Sequence, residues 1–197
     1  MRKLLFITAL LLALPLIGQA QEAPRVEIFG GYSYLRTDNN NNAGLTGVAT
    51  DQDLHGFNTS FTANLNTWFG VTAEVSGHYG NYNVIGLNVD QDMYVVTVGP
   101  RFALRRYERI TPFAHALVGV ARTSLDAGSI TTSTGTISTS INDSGFALVV
   151  GGGLDININE LVAFRLFQAD YVLTRFNSNT QNNFRASTGI VLKLGSQ

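Results

Sequence analysis

The 197-residue chain contains no cysteine. Disulfides, thiol catalysis and zinc–thiolate sites are therefore excluded. Charge is also scarce. Asp, Glu, Lys and Arg make up 14% of the chain, against about 25% in an ordinary soluble domain. Cations do not outnumber acids, since the net charge is −1, so nothing points to a nucleic-acid partner. After residue 17 no run approaches the ~18 apolar residues that would mark a membrane-spanning helix. Runs of Ala, Glu, Lys and Leu that favour helices are missing from the same region. What remains is rich in Gly, Asn, Ser and Thr, with 20 glycines. That is an all-β composition.

The first twenty residues form a processing signal. Arg2 and Lys3 begin it, Leu4 to Ile17 is a nearly unbroken apolar run with one proline, Pro15, and Gly18-Gln19-Ala20 is a small-x-small junction. This order predicts a secretory signal peptide over 1–20, cleaved between Ala20 and Gln21. Its apolar core is shorter than the ~20 residues needed to span a bilayer as a helix. No cysteine follows the junction, which excludes a lipoprotein anchor. The mature chain, 21–197, is expected to be one β-barrel domain. Losing Arg2 and Lys3 but no acid takes its net charge to −3.

The mature chain alternates with period two, the mark of strands with one apolar and one polar face. Eight strands are expected, at about 25–36, 55–65, 69–79, 92–104, 110–122, 144–156, 161–174 and 183–194. In the last, Phe184, Ala186, Thr188, Ile190, Leu192 and Leu194 share one face. Arg185, Ser187, Gly189, Val191 and Lys193 share the other. A strand this near the end of the sequence needs a partner for its edge, and pairing with 25–36 would close a barrel. Pro100 falls within the fourth strand and weakens its pairing. In the seventh, Arg165 and Asp170 both belong on the polar face yet are an odd number apart. A β-bulge at Leu166–Phe167 would reconcile them.

Strands of this length suit a tilted bilayer crossing, which takes about 9–11 residues. Connections alternate between long (37–54, 80–91, 123–143, 175–182) and short (66–68, 105–109, 157–160). An outer-membrane barrel has that pattern, with short periplasmic turns and longer outer loops. The apolar face is then the outer face. Aromatics gather near the strand ends as two girdles. Trp68, Phe69, Phe102, Tyr107 and Phe113 are placed by the short turns, and Tyr32, Tyr34, Tyr79, Tyr94, Tyr171 and Phe176 by the long loops. The polar face looks into a lumen that eight strands leave just wide enough for side chains to fill. Glu74, Arg101, Asp155, Arg165, Asp170 and Arg185 are expected to form a paired network there, because an unpaired charge in a narrow lumen is costly. The network would plug the barrel, so that Arg101→Ala or Glu74→Ala raises conductance.

Val-Gly-Pro-Arg-Phe (98–102) and Thr-Pro-Phe-Ala-His-Ala (111–116) resemble the fourth and fifth strands of the small eight-stranded outer-membrane β-barrels. These are proteins similar to the OmpA transmembrane domain and to OmpX. Ser187-x-Gly189-x-x-Leu192-x-Leu194 resembles the C-terminal signal of such barrels, with Leu194 where an aromatic is usual. The resemblance covers 21–197. It implies an eight-stranded antiparallel up-and-down barrel in the outer membrane of a Gram-negative bacterium. It also implies contact with outer-membrane lipid and lipopolysaccharide, and assembly by the barrel assembly machinery through the last strand. No peptidoglycan-binding region is found, so wall anchoring is not implied.

No catalytic, cofactor or metal site is expected. His55, His78 and His115 lie on separate strands without a second ligand at metal spacing. Gly151-Gly152-Gly153 lies within a strand, where close packing explains it better than a phosphate loop. Asp90-Gln91-Asp92 reads as a solvated loop end. Lipid-modifying barrel enzymes pair a His with a Ser near the lipid face, and no such motif is recognisable. The expected role is structural or surface-interacting, with an unidentified external partner at the long loops, 123–143 above all. The rivals are a narrow porin-like barrel and, further off, a secreted lipid-binding barrel.

Overall fold

A computed structural model of the chain describes residues 23–38, 52–84, 87–132, 135–176 and 179–196. The expected signal segment, its Ala20–Gln21 junction and most of the first loop lie outside the described residues. Eight strands follow one another: β1 Pro24–Asp38, β2 Gln52–Asn64, β3 Phe69–Val84, β4 Leu87–Ala103, β5 Ile110–Thr132, β6 Gly135–Asn157, β7 Val162–Phe176 and β8 Asn179–Ser196. Each pairs antiparallel with its neighbour, and β1 pairs with β8 to close the barrel. The closing seam runs from Pro24 opposite Ser196 to Asp38 opposite Asn182. Its backbones approach closely at Gly31 and Gly189. A Cβ on Gly31 would sit 2.0 Å from the Thr188 carbonyl oxygen, so only glycine fits there.

The bulge in β7 is present. Pairing with β8 shifts between Arg165 and Gln168. Leu166 and Phe167 both turn outward, 48% and 50% exposed, while Arg165, Gln168 and Asp170 are buried inside. At Pro100 the β4–β5 ladder skips from Val98–Val118 to Arg101–His115 without changing register. The missing N–H costs one interruption there and no slip.

The long-loop end differs from expectation. Most of 80–91, 123–143 and 175–182 is strand. The β3–β4 ladder runs to Val84–Leu87, β5–β6 to Thr132–Gly135 and β7–β8 to Phe176–Asn179. Past the rim neither face of a hairpin has a core or lipid to meet. The apolar alternation stops, yet the backbone ladder continues, helped by Thr and Ile, whose β-branched side chains suit strands. The short turns are 65–68, 104–109 and 158–161.

Large apolar side chains point outward around the wall, among them Phe57, Phe61, Val75, Val96, Val98, Val118 and Leu192. Trp68, Phe69 and Phe102 cluster at the short-turn end. Tyr79 and Tyr94 meet edge to face at the other. From Phe69 to Tyr79 is about 33 Å of strand, or about 25 Å along the axis at ~40° tilt. That is the apolar height of an outer-membrane barrel.

Candidate functional site: a filled lumen

The inward residues can be followed from the short-turn end. A cavity of about 220 Å³ opens there, bordered by Pro24, Arg105, Asn157, Glu160 and Lys193 and floored by Glu27 and Asp155. Lys193 Nζ donates to Asn157 Oδ1 at 3.1 Å. Beneath the cavity, Glu27 accepts from Arg105, from Arg101 at 2.5 Å and from Asn64 at 3.1 Å. Arg101 reaches on to Asp155 Oδ2 at 3.0 Å. Arg165 grips Asp155 with two parallel bonds, 2.7 and 3.1 Å, the strong bidentate form.

Arg101 and Arg165 carry like charge on neighbouring groups. Aromatic faces help to hold them. The Phe113 ring lies 4.2 Å from the Arg101 guanidinium carbon and 4.3 Å from that of Arg165, and Phe29 covers Arg165 at 4.1 Å. Desolvated contacts of this kind are worth about 2 kcal/mol each.

Gln168 links this layer to the next. Arg165 donates to its Oε1 at 2.6 Å. Its Nε2 donates to Glu74 at 3.1 Å and Asp170 at 2.7 Å. Arg185 then joins Glu74, Asp170 (2.6 and 3.0 Å) and Ser76 (3.1 Å). His115 Nε2 is 2.8 Å from Asp170 Oδ1, and Asn58 donates to Glu74 at 3.2 Å. Beside them, Ser33 Oγ lies 2.8 Å from His78 Nε2 and 3.0 Å from Ser187 Oγ.

Above the charges the lumen turns apolar. Leu35, Leu54, Met93, Val95, Leu117, Ala121, Ala147, Val149 and Val172 form one cluster, none more than 3% exposed. Leu35 is directly opposite Arg185 in the β1–β8 ladder, so the two layers abut.

All six residues expected in the lumen are buried there and joined in one network. The ion pairs of that network unite four carboxylates (Glu27, Glu74, Asp155, Asp170) with four guanidiniums (Arg101, Arg105, Arg165, Arg185). Buried charges require such matching. Sequence reasoning missed Arg105, which it assigned to a turn. The inward parity of Arg101 and Ala103 continues to it. Glu27, Gln168 and His115 were likewise not among the expected members. Phe113 corrects an expectation. It is not part of the girdle but 6% exposed inside the lumen. It is two residues before inward His115, so alternation puts it there. The apolar layer went unread because Leu35, Met93 and Val95 interrupt the polar face with apolar residues. His55 lies apart on the outside, its Nδ1 2.5 Å from the Tyr32 hydroxyl.

This arrangement is a barrel greasy outside, ion-paired within, and closed on itself. A family model described as the outer membrane protein beta-barrel domain matches residues 6–195. The chain belongs to this family. It is an outer-membrane protein. Among solved structures it is similar to Ail, the attachment invasion locus protein of Yersinia pestis, at 19% identity and TM-score 0.60, covering 86% of this chain and 99% of that one. It is also similar to Neisserial surface protein A, at 11% identity and TM-score 0.61, covering 88% and 100%. OprG from Pseudomonas aeruginosa gives 15% identity and TM-score 0.51, covering 90% and 99%. At these identities the likeness is one of fold. A search of curated proteins by sequence finds no match. Outer-membrane barrels in general place their short turns on the periplasmic side and their longer loops outside.

Proposed function

We propose that this family member is a closed, non-catalytic barrel with a structural or surface-interaction role, whose lumen is plugged and whose outer hairpins meet external partners. The observation behind this is the uninterrupted filling of the lumen, from the Glu27–Arg105 pair to the Leu117–Val149 layer. The apolar layer revises the expectation for single charge variants. An ion must pass two barriers in series, and a dry apolar constriction blocks by dewetting even where no charge bars the way. Arg101→Ala or Glu74→Ala alone should therefore leave conductance near background. Glu74→Ala combined with Leu35→Ser and Leu117→Ser should open measurable single-channel current in planar bilayers. A single charge variant that conducts like a porin would refute the two-layer reading. A wild-type barrel that passes sugars in liposome swelling would favour the narrow permeation alternative.

Residues 1–20 act as the signal peptide, so the mature N-terminus found by sequencing should be Gln21. Strand β8 seals the wall against β1 and carries the assembly motif, so Leu194→Phe should speed assembly in cells without altering stability in vitro. The β5–β6 hairpin, the longest of the outer projections among the described residues, is the proposed place of external contact.

A further inference from the structure

The outer rim is uneven in charge. On the β1–β2 side Arg36 is directly opposite Asp53, which also accepts a 2.5 Å hydrogen bond from Tyr34. On the β5–β7 side two arginines are exposed on the outward face. Arg122 continues the outward series of Val118 and Val120, and Arg175 that of Tyr171. Neither makes an ion pair or hydrogen bond with a described residue. Arg122 pairs in register with Ser144 and Arg175 with Phe146, so both flank β6. Strand geometry puts their α-carbons roughly 12 Å apart, within joint reach of one group lying over Phe146. Tyr94, Phe146 and Tyr171 are exposed at or just below this level, at the outer girdle. Asp92 on β4 is the nearest outward acid among the described residues and is not ion-paired to Arg122. Asp143, on the other parity, accepts from the Ser144 backbone N–H at 2.8 Å.

We propose that Arg122 and Arg175 form a docking site for the phosphate of an outer-leaflet glycolipid, with Phe146 as the apolar seat between them. Guanidinium groups match phosphate oxygens in bidentate geometry. The height decides the source. A site just above the aromatic girdle is where lipid headgroups lie, and Phe146 offers a free inorganic ion nothing. The proposal rests on the outer-membrane reading. If that reading fails, the protein leaves the membrane fraction. If only the site fails, the protein stays there and binding is unchanged.

The test titrates the folded full-length barrel in detergent with bisphosphorylated lipid A, followed by native mass spectrometry. The variants are Arg122→Gln/Arg175→Gln and, at the periplasmic rim, Arg106→Gln/Arg109→Gln. Heat-modifiable gel migration checks that each is folded. The outer-rim double variant should bind about 30-fold more weakly, and the periplasmic one should bind as wild type does. Dephosphorylated lipid A should bind wild type as weakly as the phosphorylated lipid binds the outer-rim variant. Equal losses in both variants would reduce the effect to general charge and overturn the site. Unchanged binding in the outer-rim variant would do the same. Competition by millimolar inorganic phosphate would overturn the lipid assignment.

Discussion

Arg185 is the residue whose loss the lumen should feel most. It is fully buried and its ion pairs join it to both Glu74 and Asp170. Arg185→Met keeps an unbranched side chain of adaptable shape, so cavity effects stay small and the electrostatic one dominates. Asp170 retains His115 and Gln168 as partners. Among the described residues Glu74 retains only the neutral amides of Asn58 and Gln168. An uncompensated buried charge costs about 3–5 kcal/mol. Total stability is of the order of 5–15 kcal/mol in ordinary proteins, so the loss should be plain. Adding Glu74→Gln removes the stranded charge while its amide oxygen can still accept from those amides. The double variant should therefore be more stable than Arg185→Met alone, and with the Glu74→Gln single variant completing the cycle the coupling energy should be about 2 kcal/mol. The assay is urea unfolding from lipid vesicles. Trp68 is the only tryptophan, 56% exposed and stacked on Phe102 in the girdle, so its emission reports departure from lipid. Additivity within about 0.5 kcal/mol, the range for independent sites, would refute the claim that Glu74 and Arg185 act as a pair.

Other parts of the wall give separate checks. Val98→Arg, midway between the girdles on the lipid face, should cost about 2–4 kcal/mol in the same unfolding assay, whereas Leu104→Arg beyond the short-turn girdle should cost about 0–1 kcal/mol. Phe113→Leu keeps an apolar side chain but removes the ring that two guanidiniums face, and should cost about 2 kcal/mol or more. Gly151→Val should block assembly, seen as loss of the heat-modifiable band, because its Cβ would lie 2.4 Å from the Ala169 carbonyl oxygen and 2.1 Å from Asp170 Oδ1.

Much of this molecule could be read from period two alone. Outward Phe57, Val75 and Val98 against inward Ser60, Glu74 and Thr97 mark strands with one lipid face, and the count of eight follows. Even the β7 bulge was legible, since Arg165 and Asp170 could not otherwise share the lumen. These are local matters, because a strand sends successive side chains to opposite sides whatever lies across from it. The partners inside were not local. Glu74 meets Arg185 across 111 positions and Glu27 meets Arg105 across 78. Which charges join is decided by strand register and by the bulge, not by spacing in the chain. Leu35, Met93 and Val95 look equally fit for lipid or core until the closed wall assigns them to the lumen. Ser and Thr in 123–143 give no apolar rhythm, so only the hydrogen-bonded ladder shows that strand continues there. The sequence by itself determined the wall: its strands, its greasy outside and its polar inside. Only closure decided the contents, because a lumen exists only when β8 meets β1 and brings residues from distant strands into one small enclosed space.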